Sequence, residues 1–567
     1  EMLSFFSDVT GVSYPWPKYS QVAVRDYVSG AMENTTAVIF GEFMHGTDRS
    51  LIDVETNEKI VAHEMFHHWF GDFVTCESWS NLTLNEGFAN YSEYLWMEKK
   101  HGRDAADYHM LTERSGYFGS VRQGEPHELI WYDYDDKEQM FDAHSYNKGG
   151  AVLHMLRGYL GDEAFFTSFK KYLIDNQYSA VEVDELRMAF EDTTGEDLQW
   201  FFDQWFLKAG HPELSLTREY EDGKILLTVE QTQSTDYNVP AIFRLPTQVA
   251  IFTNGSTTPE IVDIVVDQRK QTFTFPSEVE PDVVVFDPRH DILATYSYTK
   301  TAEALAAQFK GAPSFIDRYL VVQRLANKGD SEAKTTTLTA ALQDPFHQVR
   351  NLTMQVIGEQ PTPEQLELIR GLAKNDPHSA VRSTALGLLT VVEDASLVPI
   401  AKMALEARPF PVVAAGLQAL VAASPEEAMK EASKLESIDN STISSALAAV
   451  YSASGDVSKL PYIEKQMDNA DGFDAVEIFD GYRRLMSMGD ASTLKGGIEK
   501  LKGIGMRQAG SPWRRYAATK SLNDLREEMK AAGDKAEQVV MLKTIIDGIK
   551  AVETESQLVQ IYQNFGN

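Results

Sequence analysis

The residues best able to do chemistry in this chain are His63, Glu64 and His67, in the run His63-Glu64-Met65-Phe66-His67. Apolar residues recur at helical spacing here (Ile60, Val61, Met65, Trp69), which predicts a helix. On a helix, positions four apart share a face, so both imidazoles can reach one ion. Glu64, beside the first imidazole, is placed to act as a general base on a water held there. A hydrolytic zinc takes three protein ligands and keeps one position for water. Glu86, 19 positions after His67, supplies a carboxylate at the start of a second predicted helix, Glu86 to Lys99. Trp69, Phe70, Trp79 and Leu82 lie between and can pack one helix on the other. Two histidines and one carboxylate suit one Zn²⁺ per chain. Thr83 offers a competing reading, a T-x-x-E capping box that would use Glu86 as a helix cap. Glu93 falls two turns after Glu86 on the same face, where it either orients a ligand histidine through its other ring nitrogen or is a solvated helix glutamate. His68 points off this face. The single cysteine, Cys76, excludes an intrachain disulfide and a cysteine-based metal site, and reads as a small buried residue.

These residues sit in a long chain. At 567 residues, about three to four domains are expected. The net charge of −32, from 52 cationic and 84 anionic residues, disfavours binding to phosphate backbones or anionic membrane surfaces. No run approaches the roughly 18 apolar residues of a membrane span; the longest, Val412 to Ala423, is broken by Gln418 and reads as a buried helix. Residues 1–210 hold seven of the eight tryptophans and read as mainly helical, with a further helix over Gly149 to Leu160. Residues 211–300 alternate in strand fashion (Ile225–Val229, Thr247–Phe252, Ile261–Val266), which predicts a small β-sandwich. Residues 301–567 are helical and rich in Ala and Leu. Pro345, Pro377 and Pro409 stand 32 residues apart, each followed four residues later by Val349, Val381 or Val413. Proline suits a helix start, so this stretch reads as a HEAT-like α-solenoid. The whole is a multidomain α+β chain.

Upstream lies Gly30-Ala31-Met32-Glu33-Asn34. Together with His63-Glu64-x-x-His67 and Glu86, this run makes residues 1 to about 300 closely resemble the M1 family of zinc aminopeptidases (gluzincins, aminopeptidase N-like). The helical stretch resembles that family more loosely. The resemblance implies a thermolysin-like zinc peptidase domain over 1–210, with His63, His67 and Glu86 as metal ligands and Glu64 as general base. It implies that Glu33 binds the free α-amine of a peptide, and that Gly30, Ala31 and Met32 line the substrate. It also implies that Tyr146, in Tyr146-Asn147-Lys148-Gly149-Gly150, donates to the tetrahedral oxyanion. The expected reaction is removal of the N-terminal residue from peptides. The acidic stretch Asp133 to Asp142 reads as a solvated loop at the cleft edge. Arg514 and Arg515 are offered as partners for a substrate carboxylate or as a solvated pair.

Only 29 residues precede Gly30, too few for the family's N-terminal β-domain, so the resemblance implies an upstream domain not contained here. The compartment stays open between cytoplasm and export. Two other readings compete: a non-catalytic or inactive peptide-binding scaffold, and an epoxide hydrolase of the same family. The presence of all of His63, Glu64, His67, Glu86, Glu33 and Tyr146 argues against the first. The predicted β-sandwich argues against the second.

Overall fold

A computed structural model describes residues 1–566 apart from 26, 313, 508–510, 534 and 535. The fold is mixed α+β and divides into two units, one of residues 1–45 and 55–356, the other of 46–54 and 357–567.

In the first unit, helix α1 (Met2–Thr10) leads to strands β1 (Ser20–Val24), β2 (Ala31–Met32) and β3 (Ala37–Gly41), in the sheet order β1-β3-β2. β2 is an edge strand, antiparallel to β3 through Ala31–Phe40 and Met32–Ile39. Helix α2 (Thr56–Phe66) follows, then β4 (Val74–Cys76) and helices α3 (Thr83–His101) and α4 (Arg103–Gln123). The chain reverses between α2 and β4 at Gly71, whose φ is +147° and where a β-carbon would stand 2.9 Å from the His67 carbonyl oxygen. Only glycine fits that turn. A π-helical turn, His144–Lys148, opens directly into α5 (Gly149–Leu160). Then come α6 (Asp162–Asp175), β5 (Ser179–Val181, parallel to β4), α7 (Val183–Thr194) and α8 (Gln199–Trp205).

Aromatic side chains lock α2 to α3. Phe66 stacks on Phe70 at 4.9 Å between centroids, and Phe70 on Phe88 at 4.1 Å. Such ring pairs add stability beyond their buried area. The same core continues through Phe202 and Trp205 to Leu227, Val249 and Val284. Strands β6 (Glu213–Glu221), β7 (Lys224–Gln231), β8 (Leu245–Phe252), β9 (Glu260–Val266), β10 (Lys270–Pro276), β11 (Val283–Phe286) and β12 (Thr295–Tyr298) follow, and Leu227, Val249 and Val284 lie in β7, β8 and β11. These strands form two sheets, ordered β10-β7-β6-β12 and β11-β8-β9. Alternate burial along β7 is the pattern of a strand with one face on the core.

Helices α9 (Ala302–Gly311), α10 (Phe315–Leu325), α11 (Glu332–Ala341) and α12 (His347–Ile357) complete this unit. The second unit contains α13 (Pro363–Asn375), α14 (Ser379–Val391), α15 (Leu397–Leu405), α16 (Phe410–Ala423) and further helices to Tyr562. Neighbouring helices α13 and α14, and α15 and α16, pack on each other, and α14 also packs on α16. Val349, Val381 and Val413 are each fully buried, in α12, α14 and α16. The aspartates before the first two prolines act alike: Asp344 Oδ1 accepts from Phe346 N, and Asp376 Oδ1 from His378 N, both at 2.9 Å. Segment 46–54 is fixed to its own unit by Arg49, which donates to the Arg408 carbonyl at 2.8 Å, and by Asp53, which accepts from Ser379 N at 2.7 Å. Arg515 is no solvated residue: it is buried against Glu553 at 3.0 Å. Arg514 donates to the Asp468 carbonyl. No described helix is long and apolar enough to cross a membrane.

Candidate metal centre

His63 lies in the last turn of α2 and His67 at its C-terminal cap. Glu86 lies in the first turn of α3. The Nε2 atoms of both histidines are 3.2 Å from Glu86 Oε2. Four donors held 2.0–2.1 Å from one ion in tetrahedral geometry stand about 3.3 Å apart, so this spacing suits a shared ion. The outer nitrogens are occupied. His63 Nδ1 donates to Glu93 Oε1 at 3.0 Å, and His67 Nδ1 to the Phe70 carbonyl at 3.1 Å. Both rings are thereby held in the tautomer that turns Nε2 inward. Thr83 does not cap α3; its hydroxyl donates to the Ser145 carbonyl at 3.0 Å. That leaves the Glu86 carboxylate to the imidazoles.

Glu64 is buried, and its Oε2 has no hydrogen-bond partner. Glu33, just past the edge strand β2, brings its carboxylate within 4.8 Å of the Glu64 carboxylate and a ring nitrogen of His67. The result is a pocket with more carboxylates than cations. Burial, with the charges of Glu33 and Glu86, pushes the Glu64 carboxyl up to about 7. Burial opposes the charged form of His67, yet the Glu33 and Glu86 carboxylates raise it to about 9. Glu86 shows the reverse balance: burial would raise it, and the two imidazoles hold it far below the usual carboxylate range. A divalent cation meets the demand that this donor set creates.

Tyr146 comes from the π-helical turn. Its ring stacks on that of His63, 5.8 Å between centroids and 8° from parallel. Burial, and a hydrogen bond to Glu86, raise its hydroxyl above the ordinary phenol value, which keeps it a donor at neutral pH. The approach of this turn to α3 requires glycine: a β-carbon on Gly149 would stand 3.0 Å from Gly87 Cα. Gly30 and Met32 are exposed and Ala31 half-buried along the edge strand. His68 turns away from the centre and is fully buried, its Nε2 accepting from Thr36 N at 3.1 Å. Cys76 is half-buried, and burial pushes its thiol up to about 11.

Asp133, Asp135 and Asp136 are exposed, and among the aspartates only Asp142 departs from the solvated-loop reading of its stretch. Its Oδ1 accepts from the backbone of His144 and Ser145 at 3.0 and 3.1 Å, and its Oδ2 contacts His144 Nδ1 at 2.5 Å and His127 Nε2 at 2.9 Å. It therefore caps the turn that presents Tyr146. The spacing Asp142-x-His144-x-Tyr146 was the available signal. His109, Glu113 and Asn147, behind Glu93, gave none.

A sequence profile described as the peptidase family M1 domain matches residues 1–205. Aminopeptidase M1-A of Oryza sativa subsp. japonica is 34% identical over 236 residues, covering 41% of this chain and 26% of that protein. Tricorn protease-interacting factor F2 of Thermoplasma acidophilum is 34% identical over 235 residues, covering 40% of this chain and 30% of that protein. The matched stretch thus spans less than a third of the length of these relatives. Among solved structures, Legionella pneumophila aminopeptidase A in complex with aspartic acid superposes with a TM-score of 0.65 at 16% identity, over 99% of this chain and 72% of that one. That likeness concerns the fold alone. Residues 1–205 of this chain are thus similar to the peptidase family M1 domain.

Proposed function

We propose that this chain is a zinc-dependent aminopeptidase that removes the N-terminal residue of peptides. The observation that carries the reading is the convergence of Glu33 and Glu64 on a two-histidine, one-carboxylate donor set. His63, His67 and Glu86 would hold one Zn²⁺. Bound there, zinc supplies Lewis acidity toward water and the scissile carbonyl.

The protein's own groups do the rest. Glu64, with Oε2 unpartnered, takes a proton from the attacking water and returns it to the leaving amine. Tyr146 donates its hydroxyl proton to the developing oxyanion without adding charge. Glu33 attracts the substrate's α-ammonium, which confines attack to the first peptide bond. The free edge of β2, at Gly30, Ala31 and Met32, offers backbone groups to an extended peptide. Glu93 keeps His63 oriented. In this reading residues 1–210 are a thermolysin-like catalytic domain, 211–300 a β-sandwich and 301–567 a HEAT-like solenoid. The shared core of the two sheets and the repeated buried valines support that layout.

The test is hydrolysis of fluorogenic aminoacyl amides, free and N-acetylated, by zinc-loaded protein, with metal content measured in parallel. Cleavage of free-amine substrates alone, abolished by a chelator and by Glu64→Gln, is expected. Cleavage of acetylated substrates at equal rates removes the role of Glu33. One bound zinc with no cleavage of any substrate overturns the enzyme reading.

A further inference from the structure

The polar chain behind His63 does not end at Glu93. Glu93 Oε2 lies 3.4 Å from His109 Nε2, and His109 Nδ1 lies 3.8 Å from Glu113 Oε1. Glu113 Oε2 then accepts from two amides at once: Asn90 Nδ2 and Asn147 Nδ2, each at 2.7 Å. The two amides belong to different parts of the centre. Asn90 is on α3, one turn after Glu86 and one turn before Glu93, on the same helix face. Asn147 follows Tyr146 inside the π-helical turn. Asn147 Nδ2 also stands 3.3 Å from the Glu113 carbonyl, and a β-carbon on Gly116, one turn along α4, would meet it at 3.0 Å. The amide therefore has little room to move.

A π-helical turn is rarer and less well bonded than the α-helix it opens into here, and it persists where its surroundings hold it. Asp142 holds this one at its start. Glu113 holds it from behind, against the helix that carries Glu86. We propose that Glu113 is a positioning residue: by clamping Asn147 to Asn90 it fixes the Tyr146 hydroxyl relative to Glu86 and His63. The inference rests on the aminopeptidase reading, in which Tyr146 serves the oxyanion.

The experiment compares Glu113→Ala, Glu113→Gln, Tyr146→Phe and the Glu113→Ala/Tyr146→Phe double variant. All are zinc-loaded and assayed on a fluorogenic alanyl amide, with metal content and amide hydrogen exchange measured on each. Glu113→Ala is expected to lower kcat by about tenfold, since small displacements of a reacting group cost rates of this order. KM should stay within about twofold and zinc at one per chain, since an interaction made only in the transition state leaves KM alone. Glu113→Gln, which keeps an oxygen for the two amides, should retain most of kcat. The double variant should be no slower than Tyr146→Phe alone. Exchange should rise at 144–148 in Glu113→Ala and not along 83–101.

Multiplying losses in the double variant, lost zinc, or a Gln variant as slow as the Ala variant would each overturn the proposal. If Glu113→Ala does not fold, Asn147→Ala removes the same link and carries the same expectations. An inactive parent protein defeats the aminopeptidase reading instead. The exchange measurement then decides this inference, and unchanged protection at 144–148 rejects it.

Discussion

The candidate metal centre of the first unit and the helices of the second both bury carboxylates, and on opposite terms. In the second unit two buried acids each have a guanidinium: Arg515 holds Glu553 at 3.0 Å, and Arg370 holds Asp394 at 2.6 Å. Such pairs are electrically closed, and breaking one strands a charge out of water. In the first unit Glu86 and Glu93 take their hydrogen bonds from imidazoles, and Glu33 and Glu64 crowd the same space. Imidazoles give only part of the charge four carboxylates require. A paired acid is complete as structure, whereas an unpaired cluster is a standing demand for a cation. The demand here is met in two ways in the proposed reaction, by a divalent ion among the ligands and by the ammonium of a peptide at Glu33.

The comparison is broken most directly at the ligands. His67→Ala should lose both zinc and hydrolysis, measured by metal analysis and the free-amine assay, with a loss of several orders of magnitude in rate. Glu93→Ala, one shell further out, should weaken zinc affinity by about 10–100-fold, read by competition with a chromogenic chelator. An affinity unchanged in Glu93→Ala would mean that the hydrogen bond to His63 Nδ1 does not support the ligand.

In the second unit the matching cut changes stability alone. Arg515→Met leaves Glu553 buried without its guanidinium, and should cost about 3–5 kcal/mol in denaturant unfolding, with zinc content unchanged. A cost near zero would show that the pair is solvated in solution and would dissolve the contrast between the units.

How far this contrast was legible in sequence follows from the range over which each contact acts. His63, Glu64 and His67 are neighbours on one helix, so their spacing alone announced them. Glu86, Glu33 and Tyr146 lie on other elements and entered through the company of motifs rather than through geometry. His109 and Glu113 are invisible in that way. They sit on α4 at ordinary helical spacing, and nothing in their type says that α4 packs behind Glu93. The π-helical turn has no residue signature, because an i→i+5 bond is chosen by surroundings. The strands Ile225–Val229, Thr247–Phe252 and Ile261–Val266 were readable by alternation. Val283–Phe286, buried on every residue, has no alternation to read. In the helical stretch the proline period carried three units. It fades once helices begin on other caps, such as Asn440 and Asp490.

Between the two regimes lies packing that uses no charge. Gly149→Ala would drive a methyl into Gly87 on α3. Overpacking of this kind costs about 1–3 kcal/mol, and here it would also push the Tyr146 turn away from Glu86. Thermal unfolding should fall modestly, and kcat should fall more than that loss alone explains. Equal effects on folding and kcat would show that the close approach of the two helices serves stability only.

The smallest expected effect tests the closed pair by titration. The Arg370 guanidinium, with help from Ser396, holds the Asp394 carboxyl down at about 2, below the ordinary aspartate range. A carboxyl depressed in the folded state contributes stability that is fully present above its unfolded value and is lost as pH falls through its folded one. Asp394 therefore contributes in full above pH ~4, and its share disappears between about 4 and 2. Asp394→Asn should be less stable than the parent at neutral pH, and the gap should close over that window at no more than about 1.4 kcal/mol per pH unit. Urea unfolding of both proteins at intervals from pH 7 to acid would trace it. A gap that stays constant down to pH ~2 would assign the effect of the substitution to the lost hydrogen bonds with Ser396 rather than to charge, and Asp394 would no longer serve as the closed counterpart of the open cluster around His63 and His67.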